Sequence, residues 1–258
     1  MTIALIDADI LAYQAAVGAQ KTIDWGDGIW TTHAEESEAE RAFDALVEKI
    51  AEAVEATEVK LAVTEGANWR NDILPTYKQN RDPSKKPLLL KHLRDRAVAQ
   101  GAFLRTPLEG DDCLGILQTM KVNVGKTIIC SLDKDFKTIP GRHYNFKTKE
   151  FYEITEHNAD YWHMYQTLMG DATDGYSGCP GVGPKGAEKI LKAALEEGTP
   201  WANRGQLQAI YWQHVLAAFK KAGLGEEEAL VQARVARICQ ACDYDFQTKQ
   251  VKLWEPTL

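Results

Sequence analysis

The chain opens on a short apolar run closed by an acid, "TIALID" (residues 2–7), the pattern of a buried strand, and passes into a helix-like stretch, "ILAYQAAVGA". "DWGDGIWTT" sets turn residues between apolar positions and predicts a hairpin. From Ala34 to Glu58, apolar Phe43, Leu46, Val47, Ile50 and Val54 recur at helical spacing, so this stretch is an amphipathic helix with an acidic solvent face. "VKLAVTE" reads as a second strand. Prolines at 75, 83 and 87 then break any period, predicting a loop or broken helix. A helical pattern resumes over 88–100, "AFLRTP" is strand-like, "EGDDCLGILQTMK" is helical, and "KTIICSLD" is the clearest buried strand. Two short strands, "RHYNF" and "FYEI", follow.

This alternation predicts an α/β fold: an open, mostly parallel central sheet with helices on both faces. From residue 156 the pattern is mostly helical, with "LQAIYWQHVLAAFKKAG" and "EEEALVQARVARICQAC" as two amphipathic helices. The expected organisation is an α/β core over 1–155 and a helical region over 156–258, both contributing to one site.

Composition narrows the class. With 45% hydrophobic and 26% charged residues and no apolar run of membrane length, the chain is an ordinary globular protein, and cytoplasmic placement is the expectation. Five scattered cysteines do not make a disulfide framework, and Cys239 and Cys242 are expected as two thiols on one helical face. The net charge of -7 argues against a passive basic-patch binder of nucleic acid. Locally, however, Arg70, Lys78, Arg81, Lys85, Lys86, Lys91, Arg94 and Arg96 face only Asp72, Asp82 and Asp95 over residues 70–96, a window that also carries Tyr77 and could receive a polyanion.

Four acidic clusters stand at strand ends or in loops: Asp7 with Asp9, Glu109 with Asp111 and Asp112, Asp133 with Asp135, and Asp171 with Asp174. Any one of them alone is as well explained by helix capping and turns. Four together at the carboxyl edge of a parallel sheet, with Glu65 beside them, suit hard divalent cations better than an acid–base pair, because converging carboxylates repel unless a cation neutralises them. "GVGPKGA" is a glycine turn running into a helix, which can approach phosphate through its N–H groups with Lys185 nearby; a plain turn between helices is the alternative.

Taken in order, "LIDADIL", "VTEGANWR", "YKQNR", "LEGDDCLG", "SLDKDFKTIPG" and "GDATDGYSGCPGVGPKGAEKIL" resemble the 5'-nuclease superfamily of flap endonucleases and polymerase-associated nucleases, most of all the short phage 5'-to-3' exonucleases. The resemblance implies metal ligands at Asp7, Glu109, Asp111 and Asp112 for one ion and at Asp133, Asp135, Asp171 and Asp174 for another. Glu65 stands where the family has Asp, and Asp9 is expected to cap the following helix. Lys78 and Arg81 match catalytic cations of a basic arch, about 68–96, and Arg70, Tyr77, Lys85 and Lys86 are expected to meet DNA. The glycine segment, about 171–197, resembles a helix-three-turn-helix gripping duplex backbone through Gly181, Gly183, Lys185, Gly186 and Lys189.

The implied cofactors are two Mg2+ ions, with Mn2+ as substitute and K+ at the glycine hairpin. The implied partners are double-stranded or flapped DNA and RNA-DNA hybrid, with no membrane. The implied activity is metal-dependent 5'-to-3' hydrolysis of DNA, with flap cleavage and RNA-primer removal, in phage replication and recombination. A catalytically silent DNA-junction module and an acidic-site α/β ribonuclease are the competing readings.

Overall fold

In the computed structural model, Ile3–Asp7 form strand β1, buried along its whole length. Asp7 ends the strand and caps helix α1 (Ala8–Ala19), accepting the Ile10 N–H at 3.3 Å. The buried face of α1 is small, Ala8, Ala12, Ala15, Ala16 and Ala19 around Leu11, which permits close packing. The expected hairpin forms from β2 (Gln20–Asp24) and β3 (Trp30–Ala34), paired antiparallel. Helix α2 (Glu36–Ala53) buries Phe43 and Ile50 as its period requires. Then come β4 (Glu58–Ala62), the four-residue α3 (Arg70–Ile73), an irregular segment with a 3-10 turn at Pro83–Lys85, and α4 (Leu90–Ala99).

Helix α5 (Gly110–Thr119), β5 (Thr127–Cys130), β6 (Gly141–Asn145) and β7 (Glu150–Ile154) complete the sheet. The remainder is α6 (Glu156–Met169), α7 (Pro184–Glu197), α8 (Arg204–Lys221), α9 (Glu226–Ala236) and a two-stranded ribbon of β8 (Tyr244–Asp245) and β9 (Gln250–Val251). The structure describes residues 1–198 and 202–257; residues 199–201 and 258 of the expected helical region lie outside the described residues. No helix among the described residues is long and apolar enough to cross a membrane.

The chain divides into two compact units: residues 1–67, 82–133 and 141–153, and residues 68–81, 134–140 and 154–258. The first holds the sheet, ordered β4-β1-β5-β6-β7. Strands β4, β1, β5 and β6 run parallel, with Asp7 level with Ala62 and Ile6 level with Cys130. Successive side chains of a strand point to opposite faces. Ala4, Ile6, Ile128 and Cys130 therefore join the apolar faces of α1, α2 and α4 in one core, while Leu5 and Ile129 are buried on the other side, where α5 packs. The second unit has its own core, in which α6, α7, α8 and α9 bury Leu168, Leu191, Tyr211, Trp212, Val215 and Phe219.

Three expectations are corrected. "AFLRTP" is not a strand: only Phe103 bridges Ala62, because the run turns away after one pairing. Asp9 does not cap α1; Asp7 does. Helix α9 stops at Ala236, so Cys239 and Cys242 share no helical face. The helix ends because Asp243 accepts hydrogen bonds from Arg237 and the Gln240 N–H, closing a turn that carries Cys242 in a 3-10 segment.

Candidate active site

In the first unit Asp7 closes the parallel strand β1, Glu65 stands three residues beyond β4, and Asp133 stands three residues beyond β5. Asp7 is 5% exposed and accepts the Ser131 hydroxyl at 3.0 Å, and Ser131 Oγ in turn accepts the Asp133 N–H at 3.0 Å. One hydroxyl thus ties the end of β1 to the loop after β5. Burial, helped by the charges of Asp9 and Asp133 and opposed by the Ser131 and Ile10 hydrogen bonds, pushes the Asp7 carboxyl up to about 7. Asp9 lies 2.7 Å from Arg94 Nε and accepts the Thr64 N–H at 2.9 Å. Burial still raises its carboxyl above the ordinary value.

Glu109 and Asp112 cap α5 reciprocally, the Asp112 carboxylate accepting the Glu109 N–H at 3.1 Å. Gly110 packs so closely that an added Cβ would lie 3.3 Å from the Val63 backbone, and its N–H is bound by Thr64 Oγ1 at 2.8 Å. Asp111 is half-buried on the first turn of α5. Glu65, three residues beyond β4, lies 3.4 Å from Lys91 Nζ.

The second unit presents another group. Lys134 Nζ lies 2.7 Å from Asp171 and 3.0 Å from Asp135, and Gln166 also donates to Asp135. Burial alone would raise the Asp171 carboxyl, but hydrogen bonds from Lys134 and the Thr173 N–H outweigh it and hold it below the usual range. Asp174 accepts from Arg81 at 2.6 Å and from the Tyr77 hydroxyl at 3.0 Å, with Lys78 Nζ 3.6 Å away. Lys78 has φ +56, an uncommon conformation for a residue with a Cβ, held by its N–H on the Asp174 carbonyl at 2.8 Å. Asn80 donates to the Ala172 carbonyl, so the "YKQNR" segment clasps the acidic loop.

Arg70 and Tyr77, expected at the DNA, are buried at 3% and 4% exposure. Arg70 donates to the Val235 and Arg237 carbonyls at 3.0 and 2.6 Å, anchoring α3 to the end of α9, and Tyr77 packs with Tyr176, Val235 and Ala236. Lys85 and Lys86 are exposed. In the glycine segment, Gly181 has φ +77, Gly183 precedes Pro184 at the start of α7, and Lys185 and Lys189 are exposed while Gly186 is half-buried.

The sequence reading missed Ser131, Lys134, Gln166, Thr64 and Arg94. Ser131 and Lys134 lay inside "SLDKD", where the alternation of acids with a hydroxyl and an amine was the available signal. Arg94 was visible only as one charge among eight.

A family model described as "5'-3' exonuclease, N-terminal resolvase-like domain" matches residues 2–162. The chain belongs to the 5'-3' exonuclease family. Relatives of this 5'-nuclease include the exonuclease of Escherichia phage T7, 32% identical with 98% of this chain and 93% of that protein covered. The flap endonuclease Xni of Vibrio campbellii is 32% identical over 73% of this chain and 75% of its own. In fold, the 5'-nuclease matches the 5'-exonuclease of phage T5, solved with zinc ions bound, at a TM-score of 0.59 and 16% identity over 92% of this chain and 93% of that one. It also matches the bacteriophage T5 flap endonuclease solved with DNA and metal ions, at a TM-score of 0.58 and 17% identity over the same shares, 92% and 93%.

The donor set of the 5'-nuclease suits a hard divalent ion. Every candidate ligand is a carboxylate oxygen, and the like charges around Asp7 disfavour its ionised form until a cation offsets them. Among the described residues no three or more His, Cys, Asp or Glu side chains stand in ligand geometry.

Proposed function

We propose that the protein is a divalent-metal-dependent 5'-to-3' exodeoxyribonuclease that hydrolyses phosphodiester bonds from DNA 5' ends, with flap cleavage and RNA-primer removal as related activities in phage replication and recombination. The observation that carries this reading is Asp7: a buried carboxylate at the end of a central parallel strand, bonded through Ser131 toward Asp133 and held up to about 7 by burial and its acidic neighbours. Such a group is costly to keep unless it serves a cation.

Asp7, Glu65, Glu109, Asp111, Asp112 and Asp133, together with Asp135, Asp171 and Asp174, would supply the ligands of two magnesium ions. Manganese would substitute. A bound divalent ion supplies Lewis acidity, making water a better nucleophile and offsetting charge on the phosphoryl oxygens. The chain's own residues do the rest. Ser131 orients Asp7, Arg94 and the Thr64 N–H fix Asp9, and Lys78 and Arg81 bring fixed positive charge to the acidic loop, where it would favour the anionic transition state. Lys85 and Lys86 would attract the incoming backbone. The α6–loop–α7 segment, as a helix-three-turn-helix, would grip duplex phosphates through the N–H groups around Gly181 and Gly183 and through Lys185 and Lys189, without reading sequence.

The test is cleavage of 5'-labelled blunt, nicked and flapped duplexes in magnesium, with products sized. Alanine at both Asp133 and Asp135 is expected to lower turnover by more than about a hundredfold while DNA binding persists. Retained turnover at saturating magnesium overturns the reading. Mononucleotides from nicked or blunt ends identify the exonuclease, and an intact released flap identifies the endonuclease.

A further inference from the structure

Lys134 lies between the two acids of "SLDKD" in sequence, and in the second unit its ammonium reaches Asp135 Oδ1 at 3.0 Å and Asp171 Oδ2 at 2.7 Å. The two carboxylates are 19% and 16% exposed, whereas the lysine side chain is 68% exposed. The acids are therefore held by the fold: Asp171 by its own loop, through the Thr173 N–H at 2.8 Å, and Asp135 by Gln166 of α6. The cation that joins them sits on a long flexible stem open to solvent. A metal ion held by this acid pair would draw on the same carboxylates that the ammonium now contacts. A unit charge and a double charge drawn to the same pair repel each other.

We propose that Lys134 is a resident counter-cation that competes with the divalent ion for the Asp135–Asp171 pair, and so sets how much free metal the 5'-nuclease needs. The inference rests on the reading of these acids as metal ligands. With the lysine engaged, the pair carries half its charge and its oxygens are already hydrogen-bonded. Metal entry swings the exposed stem into solvent and gives up its contacts with Asp135 and Asp171. Lys134 is in this sense a positioning residue: it holds Asp135 and Asp171 together until the metal does. The same ion pair keeps two neighbouring carboxylates from driving the loop apart at low metal.

Isothermal titration calorimetry of Mn2+ and Mg2+ into the full chain, without DNA, separates the possibilities. K134Q removes the charge but keeps a polar side chain and is expected to tighten the binding event assigned to this pair by about tenfold, the factor that equals 1.4 kcal/mol. K134R keeps the charge and is expected to stay near wild type. D171N is expected to lose that event. Unchanged or weaker binding in K134Q, with the event lost in D171N, overturns the lysine's role and leaves the metal reading intact. Unchanged binding in both D171N and Asp135→Asn overturns the metal reading and the inference together.

Discussion

His163 shows how much a single buried side chain can dictate. It is fully enclosed on α6, donates from Nε2 to the Ala233 carbonyl at 2.8 Å, and meets Trp254 edge to face at 5.1 Å. Since a carbonyl only accepts, Nε2 carries a proton in either charge state of the ring. Burial, with the nearby charge of Arg237, lowers its pKa from 6.5 to about 4. Above pH 6.5 neither folded nor unfolded chain takes up this proton; between 6.5 and about 4 the unfolded chain takes it and the folded chain refuses it. Stability is thus full above 6.5 and is lost as the pH falls toward 4, by about 3 kcal/mol for this group. Urea unfolding at pH 7 and at pH 4.5 should show that loss, and His163→Gln should flatten it; an equal pH slope in the variant would remove His163 as the cause. Asp7 behaves in the opposite sense: burial raises its carboxyl from 3.8 to about 7, so the folded chain holds that proton more tightly and its contribution to stability falls as the pH rises through this range.

At the scale of elements, the turn between α6 and α7 depends on two glycines in contact. Gly170 and Gly178 both have positive φ, and a Cβ on Gly178 would stand 2.3 Å from the Gly170 nitrogen. The Gly178 N–H is also bound by Gln232 of α9 at 2.7 Å. Gly181 likewise has positive φ, yet nothing lies within 4 Å of the place its Cβ would occupy. Gly178→Ala should therefore cost more than about 3 kcal/mol, through backbone collision added to left-handed strain, and Gly181→Ala only about 1 kcal/mol. Thermal unfolding of the two variants checks the order, and equal losses would mean that the close approach does not matter. The elements themselves were largely legible where period was strong. Helix α2 declared itself through Phe43, Leu46, Val47, Ile50 and Val54, and β5 through an unbroken apolar run. Legibility failed at α9, where helical spacing continues to Cys242 but the Arg237–Asp243 pair turns the chain at Ala236. It failed also at Arg70, which looks from sequence like any surface cation beside an aromatic, and which long-range carbonyl partners on Val235 and Arg237 bury.

For the whole molecule, a net charge of -7 must coexist with a polyanionic substrate. The proposed grip solves this locally, with Lys185 and Lys189 exposed at the start of α7, where the helix N-terminus adds partial positive charge. Replacing both with glutamine should weaken duplex binding uniformly across sequences and lower the slope of log affinity against log salt by about 2, one unit for each phosphate that a lysine no longer neutralises. Fluorescence anisotropy at several salt concentrations measures it, and an unchanged slope would place the duplex elsewhere.

The sequence by itself determined the alternation of strands and helices, the placing of Asp7 and Asp133 at strand ends, and the order of motifs that marks the family. These are local facts: period, turn chemistry and short spacing are written in neighbouring residues. Only the tertiary structure decided which acids are tied to which cations, that Asp7 and not Asp9 caps α1, that Ser131 joins two strand ends, and that Lys134 spans Asp135 and Asp171. Such pairings join residues up to 124 positions apart, and a hydrogen bond or ion pair forms only where folding brings its atoms within about 3 Å.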